Sequence, residues 1–218
     1  MLSLTLDSVQ AFDALYQKHP LANNNQGGLG PAGAFYLHTA LKQFPKTHTV
    51  IESGVWRGAS TWFIEQSLPN LKTLYCLDPN VNDVDFYKYR SKLATYSPVD
   101  FLKQIWDLPD PANTLVFFDD HQDVLERLLL CKKLGIKNII LDDNYDADCG
   151  DHQTTYTIPQ DKKHLLDGSS IYTFPRLCTK HACYEAIWRS TDNIPMWLAP
   201  YLVDSMNDYN YFSLFRWN

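Results

Sequence analysis

The sequence has no CxxC pair, no basic excess and no apolar run of about 18 residues, and each absence removes a class of function. The five cysteines, Cys76, Cys131, Cys149, Cys178 and Cys183, are odd in number. They predict reduced thiols and a cytoplasmic protein, not a disulfide framework. Net charge is −6. A chain that grips phosphate backbones carries a basic face, so nucleic acid is not a predicted partner. No membrane-spanning helix is predicted either, and so no membrane partner. Met1–Asp7 has no basic stretch ahead of an apolar one and does not read as a signal peptide. Repeats, low-complexity tracts and charge blocks are also missing. What remains is 218 residues, 45% hydrophobic and 20% charged, enough for one soluble domain with its own core. Aromatic residues reach 14%. Most would fill that core, and some could line a pocket for a sugar or another flat ligand.

Residues 7–18 and 34–44 have helical spacing, with the glycine-rich loop NNNQGGLGPAG between them. Strand and helix then alternate. Strands are predicted at 47–55, 72–77, 94–99, 114–118 and 137–141, and helices at 59–67, 86–93 and 124–134. This order predicts an α/β fold, a mostly parallel sheet with helices on both faces. Residues 146–176 read as mostly loop and 178–189 as a helix, and 208–217 alternate as a strand added antiparallel at the sheet edge. The whole chain, 1–218, reads as one domain. Two helices occupy 1–46, a cofactor-binding core 47–145, and an acceptor or lid region with the closing strand 146–218.

Three strong strands end in acid: Asp78, Asp119-Asp120 and Asp142-Asp143. In such sheets ligands bind at the carboxyl ends of the strands. The first strand runs into Glu52-Ser53-Gly54-Val55-Trp56-Arg57-Gly58, and Ser60 lies in the next helix's first turn. That helix start suits a carboxylate or phosphate. A dinucleotide site would want glycine where Trp56 stands, a short-chain dehydrogenase a Tyr-x-x-x-Lys pair, and a P-loop Gly-Lys-Ser/Thr. S-adenosyl-L-methionine fits better. Its methionine end can sit over the turn, and Asp78, one strand–helix–strand step later, can take the ribose diol.

VIESGVWRGASTWFIE, LYCLDP, LVFFDDHQDVLERL and NIILDDNY, together within residues 47–145, resemble the motifs of class I S-adenosylmethionine-dependent methyltransferases. The form with Trp-Arg-Gly in the turn is similar to metal-dependent sugar O-methyltransferases of the macrolide-sugar type and to their cephalosporin-hydroxylase-like relatives. The resemblance implies a Rossmann-like methyltransferase fold. It implies cofactor contacts from Glu52, Ser53, Gly54, Trp56, Gly58, Ser60, Asp78 and, at the adenine, Asp100. The DDHQ segment is one residue shorter than the family's Asp-Gly-Asp-His form, so Asp119 and Asp120 both remain candidates for its metal-binding role.

Asp119, Asp120, Asp142 and Asp143 are expected to meet at one rim, where close carboxylates repel unless a cation intervenes. Oxygen ligands suit Mg²⁺, Mn²⁺ or Ca²⁺. The plainer alternative is that these aspartates only cap helices. An EF-hand fails on spacing: with Gly150 at loop position 6, Tyr145 and Tyr156 fall at the first and last ligand positions. Cys178, His181 and Cys183 match no common zinc spacing. A divalent ion holding two hydroxyls would aim one at a sulfonium methyl. His121, Asp119 or Asp120 would accept the proton, or His121 would simply face solvent. The predicted activity is O-methylation of a sugar or glycan hydroxyl. A catechol or other diol acceptor, or a non-catalytic binding protein with this fold, are the alternatives. The oligomeric state stays open, a homo-oligomer included.

Overall fold

The computed structural model describes residues 6–20, 29, 31–83, 88–142, 144–145, 152–173 and 212–218. Two helices, α1 (Leu6–Tyr16) and α2 (Pro31–Leu41), precede the sheet. Then follow β1 (Thr49–Ser53), α3 (Ala59–Ser67), β2 (Thr73–Leu77), β3 (Ala94–Ser97), β4 (Thr114–Phe118), α4 (Val124–Leu134) and β5 (Asn138–Leu141). Strands β6 (Ser169–Thr173) and β7 (Ser213–Trp217) complete a seven-stranded sheet in the order β3-β2-β1-β4-β5-β7-β6. Strands β1 to β5 pair in parallel, and β7 runs antiparallel to β5.

Alternation along the strands sorts the core into two layers. Val50, Leu74, Leu115, Phe117 and Ile140 pack under residues of α1, α2 and α3. Their neighbours Ile51, Val116, Phe118, Ile139 and Leu141 pack under Leu125, Leu128 and Cys131 of α4. Both β1 and β4 are buried along their whole length. That is why they read as continuous apolar runs in the sequence. Part of the aromatic content goes into this core: Phe12, Tyr16, Phe35 and Phe63 form one ring cluster. His19 stacks on Phe63, with ring centroids 4.8 Å apart. Burial holds His19 and His38 down at about 4, so both pack as neutral rings.

Three expectations need correction. Residues 88–93 are not helical. The N–H groups of Lys88 and Tyr89 both donate to the Arg57 carbonyl, which ties this stretch to the glycine turn. Residues 146–176 are not all loop. Gln160–Leu166 form a 3₁₀ segment and Ser169–Thr173 become β6. The terminal strand is antiparallel as expected, but β6 pairs on its outer side, so β7 lies inside the sheet and β6 is the edge. The predicted helix at 178–189, with Cys178, His181, Cys183 and Trp188, lies outside the described residues, as do Cys149, Gly150 and Trp197. Among the described residues no helix is long and apolar enough to cross a membrane.

Candidate active site

Register places the site. Ser53 pairs with Leu77 and Phe118, and Phe118 with Leu141, so Gly54, Asp78, Asp119 and Asp142 all leave the sheet at one rim. A cleft of about 1040 Å³ opens there, lined by residues from the ends of β1, β2, β4 and β5. The strand-end aspartates therefore gather as predicted for Asp78, Asp119, Asp120 and Asp142. Asp143 lies outside the described residues.

The glycines serve the chain's own backbone. Gly54 has φ +88°, and a Cβ there would lie 1.9 Å from the Asp119 carbonyl oxygen. Gly58 has φ +93°, and its Cβ would lie 2.3 Å from the Tyr89 carbonyl oxygen. Between them Trp56 takes φ +44°, a conformation that bulky side chains avoid, and its ring is 53% exposed at the cleft. Asp78 holds this strained turn. Its Oδ2 accepts the N–H groups of Val55 (3.2 Å) and Trp56 (2.9 Å), and its Oδ1 accepts that of Asn80 (2.8 Å). Helix α3 has Gly58 as its N-cap and no side-chain cap bond, and Ser60 in its first turn lines the cleft.

Glu52 is fully buried behind the turn and does not line the cleft. Its Oε2 accepts the hydroxyl of Thr61 (2.7 Å) and the thiol of Cys76 (3.3 Å), while Oε1 meets no partner among the described residues. Burial pushes its carboxyl up to about 7, against the hydrogen bonds from Ser60, Thr61 and Cys76. The folded state thus keeps a proton that the unfolded chain releases at about 4.5. This stabilisation is complete below that value and is lost as pH rises through about 7. Glu52→Gln carries no such proton. From pH 4.5 to 7.5 the wild type should lose roughly 2–3 kcal/mol relative to Glu52→Gln in urea unfolding. Parallel stability profiles would contradict this.

The far side of the cleft holds a charged network that sequence reasoning missed. Arg127, in the first turn of α4, is 2% exposed. Its guanidinium reaches Asp100 Oδ2 at 2.5 Å and Asp120 Oδ2 at 2.9 Å. Ser53 donates its hydroxyl to the same Asp120 oxygen at 2.5 Å. Asp100 Oδ1 also accepts the Leu102 N–H, at 2.9 Å. Burial works to raise the Asp100 carboxyl, but Arg127 and Leu102 outweigh it and hold it below the usual range. Burial likewise works against the Arg127 charge, and Asp120 and Asp100 outweigh it. The available signal was positional: Arg127 sits on the same helix face as Val124, Leu128 and Cys131, all buried.

His152 was missed too, because residues 146–176 carry no periodicity. Its Nδ1 lies 2.6 Å from the hydroxyl of buried Tyr145, and its ring meets that of His121 edge-on at 5.7 Å. His121, at φ +51°, lines the same end of the cleft with Asp119 and Asp142. Tyr145 packs under His152 instead of lining the cleft. Of the predicted acceptor wall, residues 146–151 and 174–200 lie outside the described residues.

The predicted metal site includes Asp143, which lies outside the described residues. Among the described residues no three His, Cys, Asp or Glu side chains come together as a metal site. Asp120 is already engaged by Arg127 and Ser53, so it does not fit the ligand role.

No family model and no curated protein matches the chain in sequence. Solved structures match in fold. A Klebsiella pneumoniae protein provisionally named an O-methyltransferase is 13% identical, with 98% of this chain and 89% of that one covered and a TM-score of 0.50. Geranyl diphosphate C-methyltransferase from Streptomyces coelicolor A3(2), solved with Mg²⁺, geranyl diphosphate and S-adenosyl-L-homocysteine, is 13% identical over 85% of this chain and 79% of that one, at TM-score 0.50. The plantazolicin methyltransferase BamL, solved with a desmethyl substrate analogue and S-adenosylhomocysteine, is 9% identical over 96% and 90%, also at 0.50. At such identities the likeness speaks for the fold. The chain has the Rossmann-like methyltransferase fold, mostly parallel with an antiparallel C-terminal strand.

Proposed function

We propose that this chain is an S-adenosylmethionine-dependent O-methyltransferase acting on a hydroxyl of a sugar or other small molecule. The observation that carries the reading is Asp78 pinning the glycine turn beside an uncapped α3, at the rim of this sheet. The first N–H groups of α3 would hold the cofactor's carboxylate. Asp78 has lone pairs left for the ribose hydroxyls beyond the three N–H groups it accepts. Val99 and Leu102, both partly exposed at the cleft, would flank the adenine beside Asp100. When bound, the cofactor supplies an electrophilic methyl on a sulfonium.

The chain's own residues then orient the acceptor and take its proton. Asp119, Asp142 and His152 lie at the reaction end and can accept or donate hydrogen bonds to a hydroxyl. His121 is the proposed proton acceptor, an imidazole at the cleft that is not committed to the Arg127 network. Asp120 is set aside as base because Arg127 and Ser53 already use its oxygens. A magnesium requirement would need Asp119, Asp142 and Asp143 to supply it together.

The test is transfer of a labelled methyl from S-adenosylmethionine to a panel of rhamnose-type sugars and catechols. The expected result is one O-methylated sugar. Transfer only to catechols would change the acceptor, and cofactor binding without transfer to any hydroxyl would leave a binding protein. Exhaustive chelation is expected to leave cofactor affinity unchanged, because the turn, Asp78 and Asp100 are held by protein groups alone. A chelator-dependent loss of that affinity would contradict the placement.

A further inference from the structure

We propose that Arg127 is the positioning residue of the cleft, a buried cation that fixes the adenine-end carboxylate Asp100 and the reaction-end carboxylate Asp120 in one relation. The proposal rests on the methyltransferase reading above.

The geometry is specific. One guanidinium nitrogen lies within hydrogen-bond distance of both carboxylates, at 2.5 Å from Asp100 and 2.9 Å from Asp120. Nε donates to Asp120 as well, at 3.1 Å to Oδ2 and 3.4 Å to Oδ1. Ser53 adds its hydroxyl, so the end of β1, the second residue after β4, the loop after β3 and the first turn of α4 meet at one charge. The Phe118 ring lies 5.7 Å from the guanidinium carbon. Nη2 bridges the two carboxylates while Nε adds a second anchor on Asp120. A lysine ammonium could bridge the pair but has no second nitrogen in a fixed plane to set their orientation.

The sheet does not need this network to close. Strands β1 and β4 already pair along their whole length, and β4 with β5. Burying a guanidinium is costly, and neutral side chains in place of the whole charged network would pack the α4 interface at least as well. What the cation adds is a fixed distance between two walls of the cleft. Asp100 bonds Arg127 through one oxygen and accepts the Leu102 N–H with the other, which sets the loop carrying Val99 and Leu102. Asp120 is held back against Ser53 and Arg127, while its neighbours Asp119 and His121 line the cleft.

The experiment compares S-adenosylhomocysteine affinity by calorimetry with melting temperature in five proteins. These are the wild type, Arg127→Lys, Arg127→Met, Asp120→Asn and the double variant Arg127→Met/Asp120→Asn. Arg127→Met should weaken the ligand by about tenfold or more, with Arg127→Lys in between. Asp120→Asn should stay within about threefold of wild type, because Asp100 keeps its partner. The double variant removes the stranded Asp120 charge and should recover most of the melting temperature without recovering affinity. That separation is what a purely structural arginine would not produce. Affinity and melting temperature recovering together would overturn the proposal, as would wild-type affinity in Arg127→Met. If Arg127→Met does not fold, Arg127→Lys and the double variant are judged by the same rule. A folded wild type that binds no S-adenosylhomocysteine overturns the methyltransferase reading itself, and this proposal with it.

Discussion

Gly54→Ala should cost about 3–5 kcal/mol of stability, the largest effect expected of a methyl group added at any of the described glycines. Two penalties add. The backbone sits at φ +88°, where an L side chain is strained, and the new carbon would meet the Asp119 carbonyl oxygen at 1.9 Å and carbon at 2.4 Å. Neither atom is the end of a flexible side chain. Both belong to the backbone leaving β4, whose Asp119 N–H donates to the Ser53 carbonyl at 2.8 Å. To make room, the end of β1 must part from the end of β4. Thermal or urea unfolding measures this directly. A melting temperature within a few degrees of wild type would show that the turn does not approach β4 so closely. The same change at Gly168, where φ is +82° but nothing lies within 4 Å, should cost only the backbone strain.

Asp78→Ala should lower S-adenosylhomocysteine affinity by two to three orders of magnitude, or roughly 3–4 kcal/mol. The carboxylate does two things at once. It would meet the ribose diol, and it already holds Val55, Trp56 and Asn80 through their N–H groups. Alanine leaves those donors without their acceptor and frees Trp56 from a conformation it does not favour. Asp78→Asn separates the two roles. Its amide oxygen can still accept from the turn, but its NH₂ cannot accept from a sugar hydroxyl. An intermediate loss is therefore expected. Calorimetry with equal affinity in wild type and Asp78→Ala would remove Asp78 from the site.

What the sequence showed and what it hid divide along physical lines. Strands β1, β2, β4 and β5 were legible because both sheet faces are covered, which forces unbroken apolar runs. Helices α3 and α4 fall on the residues that spacing assigned, Ala59–Ser67 and Val124–Leu134. The rim aspartates were legible because register carries strand ends to one edge. Residues 88–93 were misread because their periodicity is local, while their backbone bonds go to Arg57, more than thirty residues away. Strand β6 was missed because Ser169–Thr173 is an exposed edge with little apolar alternation. Asp120 was read as a ligand or base because sequence shows charges without partners. Its partner, Arg127, is seven residues on, but only the fold points the guanidinium inward. Gly54 and Gly58 fall between β1 and α3, in the turn that the sequence places after the first strand. The groups they admit are carbonyls of Asp119 and Tyr89, which no local pattern reveals.

The most direct measurement of the central claim is a crystal structure of the wild type grown with S-adenosylhomocysteine. The account predicts the ligand in the strand-end cleft, its carboxylate at the start of α3, its ribose hydroxyls on Asp78 and its adenine between Val99 and Leu102. A ligand bound elsewhere, or a cleft that stays empty at saturating S-adenosylhomocysteine, would contradict it.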